Sequence, residues 1–305
     1  MFDFYCYGMI SASTVHILAA DTVYPQANGY GEITETLPSI GGEAINSAVT
    51  LSRLGASVKF DGNWLNPKHE KKIRELLSPY GMDLSRLTFK EGHGTEEFVI
   101  ADKNTRTCFG NYQAFHTGPP QWNPPREEDI KNARYAVLDP YFREESRLAA
   151  EMCVRNNKPY VTLDCPYDDF VAGNAGAVVI SHEILNSDYA GRDDEKLFDC
   201  YRKNCGGLVI FTYGEKEFWY ARNGEENQIY KPYPIDPVDT TGAGDAFRGA
   251  LAFALYKGCG WDDRKTVDFA AAVAANVCLK YQHALNAPDM ETVLKFIEEK
   301  NSVRE

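Results

Sequence analysis

The chain has no Cys-x-x-Cys pair, no histidine at zinc-finger spacing, no long apolar run and no excess of basic residues. Its eight cysteines are scattered, with Cys200 and Cys205 the nearest pair, so reduced thiols are expected rather than a disulfide framework or a structural zinc site. Lys and Arg number 32 against 44 Asp and Glu, a formal net charge of -12. A surface of that sign argues against nucleic acid or an anionic membrane as partner, although a local basic pocket for phosphate is compatible with it. The start, Met1-Phe-Asp-Phe-Tyr-Cys, lacks the basic region and apolar stretch of a signal peptide, and the Ala-rich run Phe269–Leu279 is too short to span a bilayer. The expected location is cytoplasmic.

What is present is 305 residues at 44% hydrophobic composition, enough to bury a sizeable core; length alone fits one large domain or a core with a small appendage, and the expected organisation is a single α/β domain over residues 1–305. Short apolar runs alternate with segments of helical period, the pattern of a mostly parallel sheet covered by helices on both faces. Expected core strands are Phe4–Met9, Val58–Gly62, Tyr135–Asp139, Tyr160–Asp164, Ala177–Ile180 and Gly207–Thr212. Ala44, Ala48 and Leu51 fall at helical spacing, and Gly55 is placed to stop that helix. Two segments break the alternation, Ile17–Ser39 and Gly94–His116, the second running through Thr105-Arg-Thr-Cys-Phe. They read as strands outside the central sheet, a small lid that would keep water from a reactive phosphate. The same strands suit pairing between subunits of a homodimer. Gly118-Pro-Pro-Gln-Trp-Asn-Pro-Pro125 reads as the loop returning to the main body.

The chemistry concentrates in Val238-Asp-Thr-Thr-Gly-Ala-Gly-Asp-Ala-Phe-Arg-Gly249. Gly242 and Gly244 permit a tight turn with free N–H groups, and Phe247, Leu251, Ala254 and Leu255 mark one face of a helix beginning there. Backbone donors and helix dipole together favour negative charge at such a start, so Gly242, Ala243 and Gly244 form an anion hole for a transferring phosphoryl group. Asp245, in the first turn, is placed to accept the proton of an attacking hydroxyl; read alone, it also serves as a helix-cap aspartate. A second glycine pair, Gly41-Gly42, lets backbone approach a ligand, and Asn46 offers donor and acceptor to hydroxyls.

Asp239-Thr-Thr-Gly-Ala-Gly-Asp245-Ala-Phe resembles the carboxy-terminal signature of the ribokinase-like (PfkB) carbohydrate kinases, and Gly41-Gly-Glu-Ala-Ile-Asn46-Ser-Ala-Val-Thr-Leu-Ser-Arg-Leu-Gly55 resembles their amino-terminal one. Two motifs in the right order, about two hundred residues apart, are far more specific than either alone. The resemblance implies a three-layer Rossmann-like fold with a β lid, transfer of phosphate from ATP to a sugar-like alcohol, Asp245 as base and Gly41, Gly42 and Asn46 at the sugar. It further implies that Thr212 and Gly214, in Leu208-Val-Ile-Phe-Thr-Tyr-Gly214, border the nucleotide and that Asn276 approaches the adenine. Magnesium is expected with ATP, and Glu183 of Ile180-Ser-His-Glu183 stands at the family's Asn-x-x-Glu position, without its Asn. Asp239 and Thr241 match part of a potassium site whose later glycine is missing from Gln282-His283-Ala284-Leu285.

The departure is at the acceptor. Where the family carries an Asp after the first strand, counting forward from Gly8 reaches Ser13 and counting back from Gly41 and Pro25 reaches His16; neither is a carboxylate. Asp61, Asn63, Asp139 and Arg106 are the candidate substitutes, Arg106 for a carboxylate or phosphate on the substrate. The segments around Arg106–Tyr112 and Leu163–Asp168 weakly resemble members acting on sugar-amine conjugates. A nucleoside kinase, with Tyr7, Tyr112 and Trp64 stacking a base, and a catalytically idle sugar or nucleotide sensor are the competing readings.

Overall fold

The computed structural model describes residues 1–304 apart from 20, 21, 23–27, 103–105 and 259, and only the backbone of 283 and 301–304. In chain order the strands are β1 (Phe2–Gly8), β2 (Ser11–Leu18), β3 (Ile33–Gly41), β4 (Val58–Gly62), β5 (Thr95–Ala101), β6 (Arg106–Gly110), β7 (Ala133–Leu138), β8 (Tyr160–Leu163), β9 (Ala177–Ile180), β10 (Leu208–Phe211), β11 (Phe218–Ala221) and β12 (Gln228–Tyr230). They form an 8-stranded sheet of order β12-β11-β10-β9-β8-β7-β1-β4 and a 4-stranded sheet of order β3-β2-β5-β6.

From β4 across to β10 the large sheet is parallel. Strands β8, β9 and β10 are buried at every residue, as parallel strands covered on both faces must be. Alternation along β1 divides the core: Phe4 and Cys6 pack with the Glu43–Arg53, Ala243–Lys257 and Asp263–Val277 helices, and Tyr5 and Tyr7 with the Glu144–Arg155 and Asp194–Asn204 helices. The three layers agree with the fold read from the sequence. The edge strands β11 and β12, antiparallel and short, were not anticipated.

The expected small separate sheet is present, with shifted limits. It begins at Ser11, only two residues after β1, because Asn63 at the end of β4 clamps the Ile10 backbone from both sides: its Oδ1 accepts from the Ile10 N–H at 2.7 Å and its Nδ2 donates to the Ile10 carbonyl at 2.9 Å. That long-range contact leaves no local trace in the sequence. Residues 112–116, read as strand, fall in a short helix, Tyr112–Thr117, and Thr105 and much of the connection between β2 and β3 lie outside the described residues. Register assigns the lid faces: Ser13 pairs with Glu97 and Glu97 with Gly110, while Cys108 and Arg106 follow on that side. These line the face toward the large sheet; His16, Phe98 and Phe109 occupy the other.

Candidate active site

Gly8, Gly62, Asp139, Asp164, Ser181 and Thr212 all lie at or just beyond the carboxyl ends of parallel strands, the edge where open α/β sheets bind ligands. The Glu43–Arg53 and Ala243–Lys257 helices both begin at that edge, each capped by a glycine with positive φ, Gly42 at 107° and Gly242 at 71°. At Gly42 a Cβ would stand 2.5 Å from the Met9 carbonyl oxygen, so no other residue fits without moving the backbone between β1 and β2. A Cβ at Gly244 meets nothing within 4 Å, so open space faces the first turn, where N–H groups lack intrahelical partners.

The two glycine motifs meet through side chains. Asn46 Nδ2 donates to Asp245 Oδ2 at 2.9 Å, and Ser47 Oγ lies 2.9 Å from the Asp245 carbonyl oxygen. Behind them Arg248 donates from Nη1 to Asp139 Oδ1 at 2.6 Å and from Nε to Ser47 Oγ at 3.1 Å. Asp139 Oδ2 accepts from the Met9 and Ala44 N–H groups at 2.7 and 3.1 Å. Asp139 is thus wholly buried, with both carboxylate oxygens engaged inside the protein. Burial pushes the Asp245 carboxyl up to about 6, against the opposing pull of Arg248 and Asn46. A base with that value is charged above it, so kcat/KM should rise with pH through about 6 and level off beyond; a flat profile between pH 5 and 8 would contradict the assignment.

A cavity of about 320 Å³ lies between lid and sheet, lined by Met9, Ser11, Gly42, Glu43, Glu97, Tyr112, His116 and Tyr141. Glu43 is pushed well above the usual carboxylate range by burial and by the charges of Asp139 and Asp245, which places the cavity edge within electrostatic reach of Asp245. Glu97 receives the Tyr112 hydroxyl, and its carboxylate lies directly over Gly41. Gly41→Ala would add a methyl overlapping that carboxylate, which can swing away because it ends a flexible side chain. The variant should fold normally and raise the acceptor KM by roughly tenfold, about the value of one lost charged hydrogen bond; an unchanged KM would remove Glu97 from acceptor binding.

The other expected residues separate. Ser13 is wholly buried on the inner lid face with Oγ unpartnered, whereas His16 is on the outer face, Nδ1 3.1 Å from Thr36 Oγ1. Asp61 is buried with Arg86, Tyr5, Asn123 and the Gly62 N–H, and Asn63 serves Ile10, so both are occupied in holding the fold. Of the aromatics considered for stacking a base, Tyr7 is wholly buried and Trp64 donates to Asn123, which leaves Tyr112 in the cavity. Arg106 has a buried, unpartnered Nε, and its charge lowers the Asp245 carboxyl.

At the other end of the cleft, Thr212 closes against the Ile180 carbonyl and Gly214, with φ 65°, turns beside His182. Asn276 donates to the Ala272 carbonyl of its own helix. Glu183 is exposed beside His182 Nδ1 at 3.1 Å. Asp164, singled out by no motif, has a left-handed φ of 44°, accepts from Ser181 N and Oγ, and is pushed up to about 6 by burial, with Glu183 adding to the rise. Asp239 Oδ1 accepts from the Thr241 N–H and hydroxyl at 2.9 and 2.6 Å, which braces the loop into Gly242.

An anion-accepting helix start that faces a lidded polar cavity defines a phosphotransferase for a small hydroxylated acceptor. Residues 18–290 match the pfkB family carbohydrate kinase, and the chain belongs to that family. It is 30% identical to a 5-dehydro-2-deoxygluconokinase of Clostridium tetani over 86% of this chain and 84% of that one. In structure it resembles a putative ribokinase from Agrobacterium tumefaciens, with a TM-score of 0.84, 20% identity and 98% of each chain covered. A putative ribokinase II from E. coli in complex with ATP and Mg2+ aligns with a TM-score of 0.76, 15% identity and coverage of 98% and 100%. Among the described residues no helix is long and apolar enough to cross a membrane.

Proposed function

We propose that this carbohydrate kinase transfers the γ-phosphoryl group of ATP to a primary hydroxyl, Asp245 taking the hydroxyl proton as the oxygen attacks. The observation that carries the reading is the Asn46–Asp245 hydrogen bond, which fixes the carboxylate where the two glycine-capped helices converge. Asn46 orients the base and retains an unpartnered Oδ1 for an acceptor hydroxyl. The Gly242, Ala243 and Gly244 turn holds the transferring phosphoryl group, whose charge Arg106 offsets from the lid. Gly41, Gly42, Ser13 and Glu97 form the acceptor wall, while Thr212, Gly214 and Asn276 border the nucleotide.

ATP brings most of the ligands magnesium needs, and one or two carboxylates with water complete them. Asp164 and Glu183 fit that donor set at the nucleotide end, and the ion would neutralise charge on the phosphates. Asp239 and Thr241 are our proposal for a potassium site behind the anion loop. Residues 1–305 act as one domain with β2, β3, β5 and β6 as lid. The stacked, partly exposed Phe98 and Phe109 on the outer lid face support pairing of two copies there. The seven described cysteines are free thiols, in keeping with a reducing cytoplasm.

A coupled assay of ADP formation across hexoses, amino sugars, sugar acids and nucleosides tests the reading. Efficient turnover of one non-nucleoside acceptor supports it. Saturable binding without ADP formation across the panel would instead support the sensor reading, and turnover confined to nucleosides the nucleoside kinase.

A further inference from the structure

The charged groups of the cleft are sorted by position. Arg106 sits toward the Asp245 end, where phosphate is expected, whereas the cavity under the lid carries Glu43 and Glu97 with neither Lys nor Arg in its lining. His116 adds no compensating charge, since burial and the neighbouring Arg143 hold it below its ordinary value. Tyr112 already donates to Glu97 and leaves part of that carboxylate's acceptor capacity unused. Two nearby buried groups await a donor: Asn46 Oδ1, on a side chain only 2% exposed, and Ser13 Oγ, on a fully buried residue of the inner lid face.

Resting on the kinase reading above, we infer that the acceptor is a sugar bearing a protonated amine, which Glu97 and Glu43 bind while its hydroxyl faces Asp245. A carboxylate in the same place would meet the Glu97 carboxylate in a confined space with no Lys or Arg in the lining to receive it, which disfavours a sugar acid. A neutral sugar would satisfy the hydroxyl-binding groups but give the Glu97 carboxylate no cation. A protonated amine supplies three donors and one positive charge to an acceptor-rich wall.

The test is calorimetric titration of the whole protein with matched sets: fructose against 1-amino-1-deoxyfructose, and glucose against glucosamine and gluconate. At least one amine should bind about tenfold or more tightly than its neutral partner, and gluconate more weakly than either glucose or glucosamine. In Glu97→Gln that advantage should shrink about tenfold, because the amine loses its charge partner as well as the hydrogen bond that both sugars can lose. Neutral or acidic members binding as tightly as the amines, no binding of either amine, or an advantage that persists in both Glu97→Gln and Glu43→Gln would each overturn the inference. ADP formation is read separately: amine preference without turnover leaves this inference standing and removes the kinase reading, and turnover of neutral or acidic acceptors alone does the reverse.

Discussion

Asp245→Asn should lower turnover by roughly a hundredfold or more, the usual contribution of a positioned general base. The amide keeps an oxygen for Asn46 Nδ2, so the 2.9 Å hydrogen bond that orients the side chain has a replacement acceptor. Because Thr212, Gly214 and Asn276 are untouched, ATP affinity measured by calorimetry should change little. The loss therefore belongs in kcat rather than in either KM, as for an interaction made only during transfer. The acid limb of the pH profile should vanish with it, since the group pushed up to about 6 is gone. Turnover within about tenfold of the parent would exclude Asp245 as the base.

Arg248→Met carries the second large effect. Arg248 is 1% exposed and Asp139 is wholly buried, so truncation strands a carboxylate among β1, β7 and two helices. Breaking such a pair from one side costs about 3–5 kcal/mol, which chemical denaturation would register as a large fall in the midpoint. In protein that remains folded, a second effect separates positioning from simple destabilisation. Arg248 lowers the Asp245 carboxyl, so its removal should move the acid limb of kcat/KM to higher pH. An unmoved limb would confine Arg248 to a structural role. Asp139→Asn, which retains an acceptor but removes the charge, should move the limb the opposite way because Asp139 raises Asp245.

Local signals explain which parts were legible in advance. Val58–Gly62 and Ala177–Ile180 coincide with the observed β4 and β9, since short apolar runs bounded by polar or glycine residues leave few alternatives. The helix after Gly42 and that after Gly242 were readable from apolar spacing, and Gly55, with φ 90°, follows the end of the first. The two glycine motifs were legible as a pair because their joint occurrence is rare, though only the fold shows Asn46 and Asp245 touching.

The acceptor wall was not legible. Ser13 and His16 were both open candidates from counting alone, and the lid register separates them, because residues an odd number apart on a strand face opposite ways. Glu97 lies on a strand whose neighbours are also acidic or apolar, and nothing local says that it reaches over Gly41. Asp61, Asn63 and Asp139 look alike as polar residues at strand ends, yet burial commits all three to internal partners. Asp164 gives no motif, and its positive φ is visible only in the folded backbone.

The Asp139 carboxylate also limits how this chain can exchange parts with its relatives. One oxygen serves the turn after β1 and the start of the Glu43–Arg53 helix, the other the Arg248 guanidinium, so the beginning, middle and end of the sequence share one ionic node. A recombinant that took residues 239–305 from a kinase with an apolar side chain at position 248 would inherit an intact glycine loop and base. It would still misassemble unless position 139 changed with it, so the crossover points that yield active hybrids are expected to keep 139 and 248 from the same parent.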